Sequence, residues 1–92
     1  MIKREVPQFD ITIFMTSDRM EAKSLVREHT ERKSNKYFNK DIAGMVFFDP
    51  KVNVAIMCIV DNKLSTLCHE VIHLVDYVAL SIEADIHADS EP

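Results

Sequence analysis

The sequence predicts a small α+β domain in which a mixed sheet of three to four strands packs on two helices. Its 92 residues suit a single domain. Hydrophobic residues make up 47% and charged residues 28%, which is an ordinary globular composition. Two apolar runs flank an Asp-Pro turn signal, and helix-like segments lie on either side of them. The order is strand, helix, strand, strand, helix, and then an acidic tail over 81–92 that we expect to be flexible.

The first strand and helix are predicted from residues 9–32. Residues 9–15, "FDITIFM", alternate apolar and polar side chains, as a strand does. Asp18 followed by Glu21 predicts a capping box at the start of a helix over 19–32. Its apolar stripe is thin, so we expect a surface helix packed on one side of a sheet; the stripe consists of Met20, Ala22, Leu25 and Val26.

A β-hairpin is predicted from the two apolar runs at 44–48 and 53–60, which flank the turn "DPK". The second run, "NVAIMCIV", is apolar at consecutive positions and therefore suits a strand covered on both faces. The segment before the hairpin, 33–42, is predicted as a loop in which Tyr37 and Phe38 contact the body of the domain.

The second helix is predicted over 63–80, with Asp61, Asn62 or Ser65 as its cap. A helical wheel places nine apolar or small residues on one side, which we expect to form a wall of the core: Leu64, Leu67, Cys68, Val71, Ile72, Leu74, Val75, Val78 and Ala79. The other side is polar and should line a cleft; it carries His69, Glu70, His73, Asp76 and Tyr77.

The five residues 69–73, "HEVIH", predict a metal site on this helix. His69 and His73 lie one turn apart and only about 40° apart around the helix axis, so both imidazoles can reach one point. Zinc binds histidine nitrogens in tetrahedral geometry, and this pair would provide two of them. Glu70 lies beside the pair and can reach a metal-held water, which is the position of a general base in metal-assisted hydrolysis.

A third metal ligand is expected from the acidic end of the chain. Position 76 holds Asp and position 79 holds Ala, which excludes the longer motif with a glycine and a third histidine at these positions. We rank Glu91 first and His87 second. Three more acidic residues in the same region are weaker candidates: Glu83, Asp85 and Asp89. Asp76 could accept a hydrogen bond from a ligand histidine, and Tyr77 is expected to cover the helix.

Composition argues against several other classes of protein. Residues 19–40 carry a local charge of +4 within a net −4, but no nucleic-acid motif accompanies them, so we expect no nucleic-acid partner. No apolar run is long enough to span a membrane, and no signal segment is visible. Two cysteines, Cys58 and Cys68, are too few for a disulfide scaffold. We therefore expect a cytoplasmic protein with both thiols free and buried.

The segment "STLCHEVIHLVDY", preceded by "VNVAIMCIVDN", resembles the zincin metallopeptidases over about residues 43–80. The layout is similar to the gluzincin branch, in particular its smallest members and the metallopeptidase-like proteins encoded by phages and prophages. The resemblance implies a three- or four-stranded sheet over the active-site helix, with an edge strand, here 45–49, that binds substrate in an extended form. It also implies Zn2+ on His69 and His73, with Glu70 as the base.

Two functions follow from the sequence. The first is a zinc metallopeptidase that hydrolyses a peptide or protein substrate, with zinc on His69, His73 and an acidic third ligand. The alternative is a non-catalytic interaction protein on the same scaffold, such as a phage-encoded inhibitor or regulator. Its contact surface would be the acidic C-terminal third, where residues 61–92 carry a local charge of −6.

Overall fold

A computed structural model describes the backbone of residues 1–31 and 43–90 and the side chains of 1–31 and 43–83. The predicted loop at 33–42, with Tyr37 and Phe38, lies outside the described residues. The elements are β1 (Ile2–Val6), β2 (Ile11–Thr16), α1 (Arg19–His29), β3 (Gly44–Asp49), β4 (Val54–Ile59) and α2 (Leu64–Ser90). The fold is α+β, as predicted, and its four strands agree with the predicted three to four. The strand missing from the order read along the sequence is β1.

The four strands form one mixed sheet in the order β1-β2-β4-β3. β2 runs parallel to β4, and the other two pairs are antiparallel. The sequence analysis assigned no element to β1, because its charged and exposed residues show no hydrophobic alternation. A short 3-10 turn, Pro7–Phe9, connects β1 to β2, and Asp10 at its end adopts a left-handed conformation with φ of 53°. β2 therefore begins at Ile11 rather than at residue 9.

The central strand β4 explains the continuous apolar run at 53–60. It pairs with β2 on one side and β3 on the other, and its four middle residues are buried. Ile56 and Cys58 pack in the core that α1 covers. Ala55 and Met57 pack on the opposite face, which α2 covers. The predicted hairpin and the predicted two-sided burial of its second strand are both confirmed.

Helix α1 begins at the predicted position, but its N-terminal hydrogen bonds differ from the predicted capping box. The Met20 N–H donates to Asp18 Oδ1 at 2.9 Å, which is the N-cap bond. The Asp18 N–H donates to Thr16 Oγ1 at 3.1 Å, so the return bond from Glu21 that completes a capping box is replaced. α1 ends at His29 rather than at residue 32. Ala22, Leu25 and Val26 are buried and Met20 is exposed.

Helix α2 is longer than predicted and is rotated about its axis. It continues through Ser90, so residues 81–90 of the predicted tail are helical. The side that meets the sheet carries Leu67, Glu70, Leu74 and Val78. The prediction that all nine residues form a core wall was wrong, and so was the prediction that Cys68 is buried: six of the nine are exposed, namely Leu64, Cys68, Val71, Ile72, Val75 and Ala79. The reason is that α2 lies mainly over the edge strand β3 and covers only part of the sheet. Neither described helix combines the length and the apolar character needed to cross a membrane.

The rotation of α2 can be tested with two isoleucines. Ile56 is 1% exposed in the central strand and Ile72 is 61% exposed on α2. We expect Ile56→Ala to lower the free energy of unfolding by about 2–5 kcal/mol, because it leaves a cavity in the core. Ile72→Ala should change it by less than about 1 kcal/mol. Urea unfolding followed by circular dichroism measures both, and equal losses would contradict the observed orientation.

Candidate metal centre

The start of α2 is held by Asp61, one of the three predicted caps. Its Oδ1 accepts the Lys63 N–H at 3.0 Å, and its Oδ2 accepts the Thr66 hydroxyl at 2.7 Å. The next residue, Asn62, has a left-handed φ of 56°, which turns the chain from β4 into the helix. The Leu67 N–H donates to the Lys63 carbonyl at 3.1 Å, the first helical bond. These contacts set the register of residues 69–73.

A close contact with β3 sets how α2 is rotated. A Cβ atom placed on Gly44 would lie 2.6 Å from Thr66 Cγ2 and 3.3 Å from Glu70 Cγ. The first distance is too short for any side chain, so the helix can approach this strand only because residue 44 is glycine. Because of this contact, Glu70 packs against the sheet. The residue is only 7% exposed, although its side chain ends in a carboxyl group.

His69 and His73 converge as the sequence predicted. Their Nε2 atoms lie 3.0 Å apart, a hydrogen-bond distance at which one ring donates to the other, and the two rings are almost perpendicular, at 85°. Zinc binds histidine nitrogens at about 2.0–2.1 Å, which in a tetrahedron separates two nitrogens by about 3.3–3.4 Å. The pair therefore fits two corners of a zinc site after widening by a few tenths of an ångström. Tyr77 stacks on His73 with ring centroids 6.2 Å apart, so it covers one side of this ring.

His69 and Glu70 share an open cleft of about 370 Å³ beside the start of β3. The remaining lining residues have small side chains or none: Ala43, Gly44, Ser65 and Thr66. Among the described residues, no group forms a hydrogen bond with the Glu70 carboxylate. The predicted cleft thus contains two members of the polar side of α2, whereas Asp76 and Tyr77 are exposed to solvent.

The described residues contain no cluster of three or more His, Cys, Asp or Glu side chains that could hold a metal. Glu91 lies outside the described residues, as do the side chains of His87, Asp85 and Asp89. Ser90 is seventeen residues beyond His73 on one continuous helix. At a rise of about 1.5 Å per residue, that is about 25 Å along the axis. At that distance, no side chain at the end of the continuous helix reaches the His69–His73 pair of the same chain. The third ligand remains a prediction, and the described chain provides two imidazole donors.

Comparisons with known proteins add no relative to which this site can be compared. No protein-family model matches this chain, and no curated protein or solved structure matches it. The resemblance to zincins over about residues 43–80 therefore stays a prediction. The structure places residues 69–73 on a helix that packs mainly on β3, an edge strand of the sheet.

Sequence reasoning missed Gly44, although a signal was present. Gly44 is the single glycine of the chain, and it opens an apolar strand. A glycine inside a strand often marks a close approach by another part of the backbone. The role of Thr66 had no such signal, because its contacts with Asp61 and Gly44 depend on how the helix is rotated.

The Gly44 contact predicts a rescue experiment. Gly44→Ala should lower the free energy of unfolding by about 1–3 kcal/mol, because the new methyl overlaps Thr66 Cγ2. Thr66→Ser removes that methyl and keeps the hydroxyl that donates to Asp61. In the Thr66→Ser background, Gly44→Ala should therefore cost much less. Urea unfolding of the four proteins forms a double-mutant cycle, and strictly additive losses would contradict the contact.

The cap of α2 predicts a pH dependence. The Lys63 N–H, and then the Thr66 hydroxyl, donate to the ionised Asp61 carboxylate and lower its pKa below 3.8. A carboxyl whose pKa is lowered by folding adds stability above its unfolded pKa, and this stability is lost as the pH falls through the folded pKa. Asp61→Asn should therefore destabilise the protein at neutral pH, and the difference should shrink well below pH 3.8. Chemical unfolding across this range tests it, and a constant difference would contradict the cap.

Proposed function

We propose that this protein is a zinc-dependent peptidase in which His69 and His73 hold the metal and Glu70 is the general base. The supporting observation is that the two Nε2 atoms converge at 3.0 Å while Glu70 and His69 line one cleft. Bound zinc would polarise the scissile carbonyl and bring the pKa of its water to about 7.

Glu70 is suited to moving the proton. The Glu70 side chain extends from α2 and packs against Gly44 of β3. No described residue donates a hydrogen bond to its oxygens. The carboxylate is thus available to accept a proton from the attacking water and to pass it to the leaving amine. Because Glu70 is almost fully buried, its position is determined by packing rather than by solvent.

The proposed substrate is an extended peptide or a segment of a protein. β3 forms the edge of the sheet next to the cleft, and an edge strand presents unpaired N–H and C=O groups. An extended peptide can add to such an edge by backbone hydrogen bonds, which brings its own peptide bonds past the cleft. The third ligand in this proposal is a group outside the described residues. Glu91 or His87 could serve only from a second copy of the chain, because about 20 Å or more of continuous helix separates them from His73.

We also propose that the protein works in the cytoplasm. Both cysteines are free, and Cys68 is exposed. An exposed free thiol is stable in a reducing compartment and is readily oxidised outside it.

The alternative proposal is a binding protein on this scaffold that does not cleave its partner, such as a phage-encoded inhibitor or regulator. Two observations favour it. The described residues contain two metal donors rather than three, and the exposed side of α2 is apolar, with Leu64 at 74% and Val75 at 58% exposure. Exposed apolar patches of several hundred Å² mark interaction sites in many proteins.

Zinc content and cleavage separate the two proposals. We expect protein purified without a histidine tag to retain zinc, and His69→Ala or His73→Ala to lose it, while His29→Ala on α1 keeps it. Glu70→Gln should keep the metal and lose about 10²–10⁴-fold of the cleavage rate. Mass spectrometry measures the zinc, and release of fragments from a labelled unfolded protein measures cleavage.

The possible results of these experiments distinguish the metal site, the peptidase and the binding protein. Absence of zinc from the wild-type protein, or zinc that survives His69→Ala, would contradict the metal site. Full biological activity of Glu70→Gln with zinc still bound would support the binding protein over the peptidase.

A further inference from the structure

The histidine pair lies on an open side of α2. His69 is exposed and His73 is partly exposed. Two large apolar residues of the same helix are exposed as well, Ile72 at 61% and Leu80 at 64%. A metal held by both imidazoles would therefore be accessible to a second molecule as well as to water.

The pair provides only half of a tetrahedral site. Zinc sites that serve a structural role use four protein ligands, and no further donor joins the pair among the described residues. We infer that zinc joins two copies of this chain, with His69 and His73 of each copy bound to one ion. This inference rests on the proposed zinc site.

Tetrahedral geometry determines how the two helices would meet. The two opposite edges of a tetrahedron are perpendicular, and here each edge is a pair of Nε2 atoms from one helix, now 3.0 Å apart. Each edge runs roughly along its own helix, because its two residues lie one turn apart. The two α2 helices would therefore cross at nearly a right angle. Such a crossing limits the contact to about one turn on either side, too small to hold two copies together without the metal.

The net charge of the chain also indicates that two copies pair only when zinc is bound. Each chain carries a net charge of −4, so two free copies repel each other. Four neutral imidazoles leave the ion with its charge of about +2. Asp76, exposed one turn beyond His73, brings one carboxylate from each copy to this region. The ion thus offsets the repulsion at the place where the copies approach.

Pairing would regulate the proposed peptidase. An ion with four histidine ligands has no position left for a reactive water, since closed sites are structural and open ones catalytic. Hydrolysis would then belong to the unpaired chain. The specific activity should fall as protein concentration rises at a fixed ratio of one zinc to two chains.

Sedimentation of the untagged full chain during a zinc titration tests the inference. We expect a monomer in EDTA and a doubling of mass that is greatest at one zinc per two chains. His69→Ala and His73→Ala should remain monomers at every zinc concentration. His29→Ala, which removes a histidine outside the pair, and Glu70→Gln, which removes only the proposed base, should double in mass as the wild type does.

Three results would overturn the inference, and they are distinguishable. Binding of one zinc per chain with a monomer throughout would remove the pairing and leave the proposed function intact. A dimer that persists in EDTA, or that survives His69→Ala, would assign pairing to the apolar side of α2 instead. No zinc binding at all would remove both the pairing and the proposed function.

Discussion

The contact between Gly44 and α2 is the constraint on which the site depends. With no side chain at residue 44, Thr66 and Glu70 approach the β3 backbone more closely than any other residue would permit. This close approach determines which face of α2 packs against the sheet. Glu70 is then buried at the cleft that His69 also lines, while His69 is exposed and His73 is partly exposed.

The same rotation divides α2 into two functional sides. One side, with Leu67, Glu70 and Leu74, packs against the sheet, while His69 is exposed together with Val71, Ile72 and Val75. The buried thiol of Cys58 has no role in the proposed metal chemistry. Burial, and then the nearby Asp18 carboxylate, raise the pKa of Cys58, so it stays protonated and unreactive inside the core.

Features that depend on local pattern were predictable from the sequence. The hairpin and the two-sided burial of β4 follow from the lengths and composition of two apolar runs, and the convergence of His69 and His73 follows from helical spacing alone. β1 was not predictable, because a charged edge strand shows no alternation. The rotation of α2 was not predictable either: a helical wheel shows where apolar residues lie, but not which part of that arc a small sheet can cover. The predicted third ligand stays untested, because the side chains proposed for it lie outside those described.

The central claim is that the Nε2 atoms of His69 and His73 bind one metal ion. Nitrogen-15 NMR of the imidazole side chains during zinc addition tests this most directly, because it reports each ring nitrogen separately. We expect the Nε2 resonances of both residues to change together on zinc binding while those of His29 stay in place. Unchanged resonances of the pair, or a response confined to His29, would contradict it.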